Sequence, residues 1–185
     1  MCRQGVEGVM RVGKWTVRQW LQGHPIGHPT HPMFVHFPTA LYPAAVVLGL
    51  IAHGTGNPTY GRAGAYLLVM GLAGALVAAL FGFIDWAGMP SGSAKKRQAT
   101  RHMIVQLAAT LLAAEALVLY FRDGLPSVAA IGVLVVACAT MFAGNFLGGV
   151  LVYRMAMRVG TVKPPTEAPA ASQAPAPSQR ERAAG

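Results

Sequence analysis

Four long apolar runs, separated by short stretches that gather nearly all the charge, constrain this 185-residue chain more than any other feature. Crossing the ~30 Å hydrocarbon core of a bilayer as a helix takes roughly 20 apolar residues. Runs of that length occupy residues 33–52, 63–84, 103–121 and 128–153. Pro38 and Pro43 interrupt the first, the second and fourth carry no charge, and the third carries only Glu115. The fourth is long enough to tilt or to extend past the bilayer. All four are rich in Ala, Gly, Val and Leu and lack the period-2 alternation of barrel strands. The expected fold is all-α, a bundle of four transmembrane helices.

Composition removes the alternatives. With 54% hydrophobic and only 11% charged residues, the chain has about half the charged fraction of a soluble domain. The net charge of +9 would suit a nucleic-acid binder only if the cations formed a continuous face, and here they sit in short clusters. A soluble basic domain, a coiled coil and a disordered chain are all excluded, and the expected partner is the lipid bilayer rather than nucleic acid.

The cations also predict orientation. Arg3, Arg11, Lys14 and Arg18 precede the first run, and Lys95, Lys96, Arg97 and Arg101 lie between the second and third. Arg154, Arg158, Lys163, Arg180 and Arg182 follow the fourth. The two remaining loops hold only Arg62 and Arg122. Thirteen against two is a strong positive-inside bias, so both termini are expected in the cytoplasm and the protein in a bacterial inner membrane. Residues 1–22 are too broken by charge to supply a secretory h-region. With Val6, Val9, Met10, Val17, Trp20 and Leu21 among their cations, they are expected to form a basic amphipathic segment at the interface. The membrane domain is expected over residues 23–160. Residues 161–185, Pro/Ala-rich, cannot build a core and are expected to be disordered. Cys2 and Cys138 lie at different depths and cannot pair. The chain lacks the C-x-x-C-H of covalent haem attachment, a Walker A loop and a G-x-S-x-G elbow.

The polar residues point to one end of the bundle. In His24–Pro38, HPIGHPTHPMFVHFP, the histidines His24, His28 and His31 each precede a proline. That placement favours extended geometry, so these side chains are expected on a stiff, non-helical approach to the first span, with His36 in its first turns. At the same end lie Asp85 and Trp86 closing the second span, Arg101 and His102 opening the third, and Asn145, Tyr153 and Arg154 ending the fourth. Hence His36, Asp85, His102, Asn145 and Arg154 come from four helices at similar depth. Ionisable groups so placed usually face a bundle interior. Gln106 lies one turn beyond His102 on the same face. Glu115 sits apart, as a proton-relay carboxylate or a protonated acid bonded to a neighbour. The small-residue ridges Gly74-Ala78-Gly82 and Gly144-Gly148 predict close helix packing.

Four motifs in order, His28–Pro38, Gly82–Trp86, Arg101-His102 and Gly148–Arg154, resemble the bacterial membrane-protein family catalogued as domain of unknown function 2231. The resemblance covers His24 to Val159 and implies a four-helix integral membrane domain, sometimes joined to or encoded near Rieske or cytochrome modules. Two positions depart from the family pattern: Gln106 stands where an Asn is common, and Met155 where a histidine often stands.

Three functions are open at this stage. In the first, His36 and His102 are axial ligands of b-type haem, with Asp85 and Asn145 supporting them and Arg101, Arg154 or Lys95 near the propionates, in a component that meets a redox protein partner. In the second, His28, His31, His36 and His102, with Asp85, hold one transition-metal ion, Met33 adding a soft ligand. In the third, the polar layer is a hydrogen-bonded clasp in a cofactor-free membrane scaffold. No nucleophile–base pair argues for an enzyme.

Overall fold

The computed structural model describes residues 11–122 and 125–157. The first ten residues of the basic segment and the Pro/Ala-rich tail lie outside the described residues. Within 11–21 the chain forms no single interfacial helix. A short antiparallel pair, β1 (Arg11–Val12) and β2 (Trp15–Thr16), precedes a five-residue helix, α1 (Val17–Leu21). Gly13, at φ +62, supplies the left-handed conformation the turn needs. Thr16 then starts α1 with a capping box, its hydroxyl accepting from Gln19 N while the Gln19 side chain accepts from Thr16 N.

Four long helices follow: α2 (Thr30–Thr55), α3 (Pro58–Ala87), α4 (Ala94–Arg122) and α5 (Val128–Gly149). Each is long and apolar enough to cross a membrane. They overrun the predicted spans mostly at the ends, where capping residues decide. Gly56, at φ +67, stops α2, and Asn57 starts α3 by accepting from Thr59 N. A connection of two residues forces α2 and α3 antiparallel. Ser127 caps α5 in the same way through Ala130 N. At its far end α5 widens into a π-helical turn, Val150–Arg154.

Three sequence expectations are corrected here. His31 does not sit on a non-helical approach, because α2 begins at Thr30 and places it in the first turn. Pro32 causes no break there, since the first-turn N–H groups have no intrahelical partner to lose. Pro38 and Pro43 do not interrupt α2 either, and the helix runs through both. His24 lies ahead of α2, but in a 3-10 turn (His24–Ile26) rather than the extended geometry expected, with its Nδ1 3.1 Å from Gln19 O.

The order is therefore up-down-up-down, and α2–α3 and α4–α5 are two helical hairpins. Each packs more closely within itself than against the other. Alanine and glycine make this possible: the core contains Ala45, Ala65, Ala109, Ala113 and Ala130 around Tyr42, Leu68, Leu134 and Met141. Large apolar side chains point outward instead, with Leu76, Leu80, Leu111 and Phe146 all at least 60% exposed. Such a surface is costly in water and is solvated by acyl chains in a bilayer.

Candidate functional site

The seam between the hairpins opens, at the end where α2 and α4 begin, into a cavity of about 580 Å³. All four long helices line it. Its wall contains His31, His36, Asp85, His102 and Asn145 among mainly apolar neighbours. Four of the five residues expected to converge thus share one wall. Arg154, the fifth, is exposed and stands outside it.

Two histidines dominate the site, and each is held by the same device. His31 on α2 places Nδ1 2.7 Å from Ala78 O on α3, and its ring lies against Gly82 one turn further along. His102 on α4 places Nδ1 2.7 Å from Gly144 O on α5, and its ring lies against Gly148, again one turn further. A Cβ on either glycine would come within 3.0 Å of the ring, so glycine is what lets each imidazole seat against the neighbouring helix. A carbonyl can only accept, so Nδ1 carries the proton, and in the neutral imidazole Nε2 keeps its lone pair. The two rings face each other across the seam with centroids 6.2 Å apart, nearly perpendicular at 83°.

The expected partner of His102 was His36, and the ring that faces it is that of His31. His36 lies five residues on, about 140° around the helix. It is exposed and makes only a long contact, Nδ1 to Met33 O at 3.4 Å. His28 is exposed ahead of α2. The four histidines expected at one metal therefore do not come together, and among the described residues no group of three His, Cys, Asp or Glu is placed to hold an ion.

A polar ladder runs beside the histidines. Gln106 Nε2 donates to Asn145 Oδ1 at 2.6 Å, Asn145 Nδ2 to Thr39 Oγ1 at 3.2 Å, and Thr39 Oγ1 to Val35 O at 2.7 Å. It ties α4, α5 and α2 together. Gly144 makes room for it, because a Cβ there would meet the Gln106 carboxamide at 2.7 Å. Asp85 accepts from Gln22 Nε2 at 2.9 Å, which docks the N-terminal segment under α3. Trp86 is half-buried. Its Nε1 donates to Thr100 Oγ1 at 2.9 Å, and Lys96 Nζ stands 4.5 Å from its ring centroid. Tyr153, just past the α5 glycines, is 89% exposed. Glu115 is exposed on the outer face of α4, away from the seam.

The family model described as "Predicted membrane protein (DUF2231)" matches residues 27–161, most of the chain. No curated protein and no solved structure matches it.

Proposed function

The chain belongs to this family of predicted membrane proteins, and from that premise we propose that it is a haem-binding, redox-associated component of the bacterial inner membrane, with its site at the cytoplasmic end of the bundle. One observation carries the reading: His31 and His102, on opposite hairpins, each have Nδ1 fixed on a backbone carbonyl and their rings 6.2 Å apart. With metal–nitrogen bonds of ~2.0–2.1 Å, as imidazole makes to zinc, an ion held between two ε-nitrogens leaves ring centroids about 6 Å apart. Two imidazoles without a third ligand suit a macrocycle that fills the remaining positions itself. The adjoining cavity of about 580 Å³ falls in the usual ~300–1,000 Å³ range of ligand pockets. When bound, haem supplies reversible one-electron chemistry.

The chain's own residues do the rest. Ala78 O and Gly144 O fix the tautomer and aim of the ligand rings, as outer partners of metal-bound histidines generally do. Phe83, Met103, Leu107 and Val152 on the cavity wall supply the apolar surface against which a porphyrin would pack. Arg101 and Arg154, exposed at the same basic end and outside the cavity wall, would meet the charge of propionates only at its mouth. His36 and Asp85 line the same cavity as its remaining ionisable groups.

The competing reading, a cofactor-free scaffold or assembly subunit, is favoured by the ladder of Gln106, Asn145 and Thr39, whose members satisfy one another. An absorbance spectrum of detergent-purified protein, oxidised and dithionite-reduced, separates the two. Haem gives a Soret band that sharpens on reduction. A featureless spectrum that persists after incubation with haemin contradicts the proposal and leaves the scaffold.

A further inference from the structure

Deeper in the bundle than the histidine pair lies a second, small void of about 50 Å³. It shares His31, Val35, His102 and Asn145 with the wall of the larger cavity and continues inward past Gln106 and Thr110 to Tyr42. Beyond Tyr42 the interior is closed by Leu68, Leu134 and alanines. A water site needs ~10–15 Å³ of probe-occupied volume, so a void of about 50 Å³ has room for about three to five.

Tyr42 is the informative residue. It is 1% exposed, and its hydroxyl finds no hydrogen-bond partner among the described residues. An orphaned buried hydroxyl is costly, and such groups call for a specific explanation. Tyr120, the other buried tyrosine of the core, shows the ordinary solution: its hydroxyl donates to Ala45 O at 3.1 Å. Tyr42 has no such carbonyl, and it lines a void whose wall sets His31, His102, Gln106, Thr110 and Asn145 among apolar side chains such as Ala75 and Met141. Thr110 Oγ1 spends its hydrogen on Gln106 O and Gln106 spends its amide on Asn145, which leaves oxygen lone pairs on both as acceptors. A void with an entirely apolar wall would stay dry, whereas this one offers a water several polar partners in addition to the Tyr42 hydroxyl.

We infer that this void is a water-binding site, holding a small cluster of waters between Tyr42 and the histidine pair, so that a hydrated shaft reaches from the basic end of the bundle into the apolar core. It gives the histidine layer a supply of exchangeable protons from one end only. The inference stands on the void and the orphaned hydroxyl and does not require that haem be bound.

The test is silver-ion accessibility of introduced cysteines in nanodiscs, with Cys2 replaced by alanine and the buried Cys138, which packs in the same core as Tyr42, retained and its own rate subtracted. Reporters are Thr110→Cys on the void wall and Ala116→Cys in the closed core, with Ala75→Cys, also on the void wall, in reserve should Thr110→Cys fail to fold. The expected result is a void-wall thiol modified at least a hundredfold faster than that at position 116, with Tyr42→Phe slowing the void-wall rate several-fold by removing one water ligand. Void-wall thiols as slow as position 116 would show a dry void and overturn the inference. The haem spectrum is a separate readout on the same samples, so either result can fail alone.

Discussion

The two helical hairpins solve one problem with the same parts and then diverge. In each, a histidine near the start of the first helix reaches a carbonyl of the second and lies on a glycine four residues past that carbonyl. In each, a threonine eight residues after the histidine, Thr39 or Thr110, donates back to the preceding turn. Since α2 and α4 run in the same direction, the device recurs in the same sense in both hairpins, as in the parallel internal repeats of some membrane proteins. Their difference is polar. Val35, Ala78 and Ala79 occupy in the first hairpin the places of Gln106, Gly144 and Asn145 in the second. The shared device places the two rings, and the unshared ladder locks the second hairpin to the first through Thr39.

Substitutions that make one hairpin like the other sharpen this comparison. Gly144→Ala alone drives a Cβ into the Gln106 side chain, and overpacking of this kind costs about 1–3 kcal/mol; thermal unfolding in detergent should register it as the largest loss. The reciprocal Ala78→Gly should cost no more than the ~0.5–1 kcal/mol of a helix-interior glycine. Converting the second hairpin fully to the first, with Gln106→Val, Gly144→Ala and Asn145→Ala together, should recover part of the Gly144→Ala loss. If the triple variant is worse than the sum of its parts, the hairpins are not interchangeable there.

Asn145→Ala comes next. It strips a partner from both Gln106 and Thr39, and a lost hydrogen bond costs about 1 kcal/mol. A double-mutant cycle with Thr39→Val should show coupling near the ~0.6 kcal/mol average for membrane helices, and additive effects would break the ladder as described. Smallest is the threonine pair. Among protein partners Thr110→Val removes only a bond within its own helix, so it should cost a few tenths of a kcal/mol less than Thr39→Val, whose oxygen also accepts from Asn145. Equal losses in the same unfolding assay would remove the asymmetry.

Much of this was readable in the chain itself. The spans followed from run length, while the helices run past them, most of all at the start of α4, where Ala94–His102 adds nine polar-rich residues that hydropathy does not register. That His102, Asp85 and Asn145 share a level followed from topology. The partner of His102 did not, because reading His31 as pre-proline and therefore extended overlooked that a helix's first turn tolerates proline. The repeat carried the missing signal: only His31 and His102 lie eight residues before a threonine, each with a glycine ready on the next helix. Neither the void nor the orphaned Tyr42 hydroxyl was legible, since both depend on how side chains fill the seam.

The central claim is that each hairpin supplies one ligand to a shared site. Reduced-minus-oxidised absorbance of His31→Ala, His102→Ala and His36→Ala, purified alongside the unsubstituted protein and each supplied with haemin, tests it most directly. The account predicts that the first two lose the bis-histidine spectrum equally while His36→Ala keeps it. Retention in His31→Ala with loss in His36→Ala would contradict it, and would return the pairing to the one the sequence alone suggested.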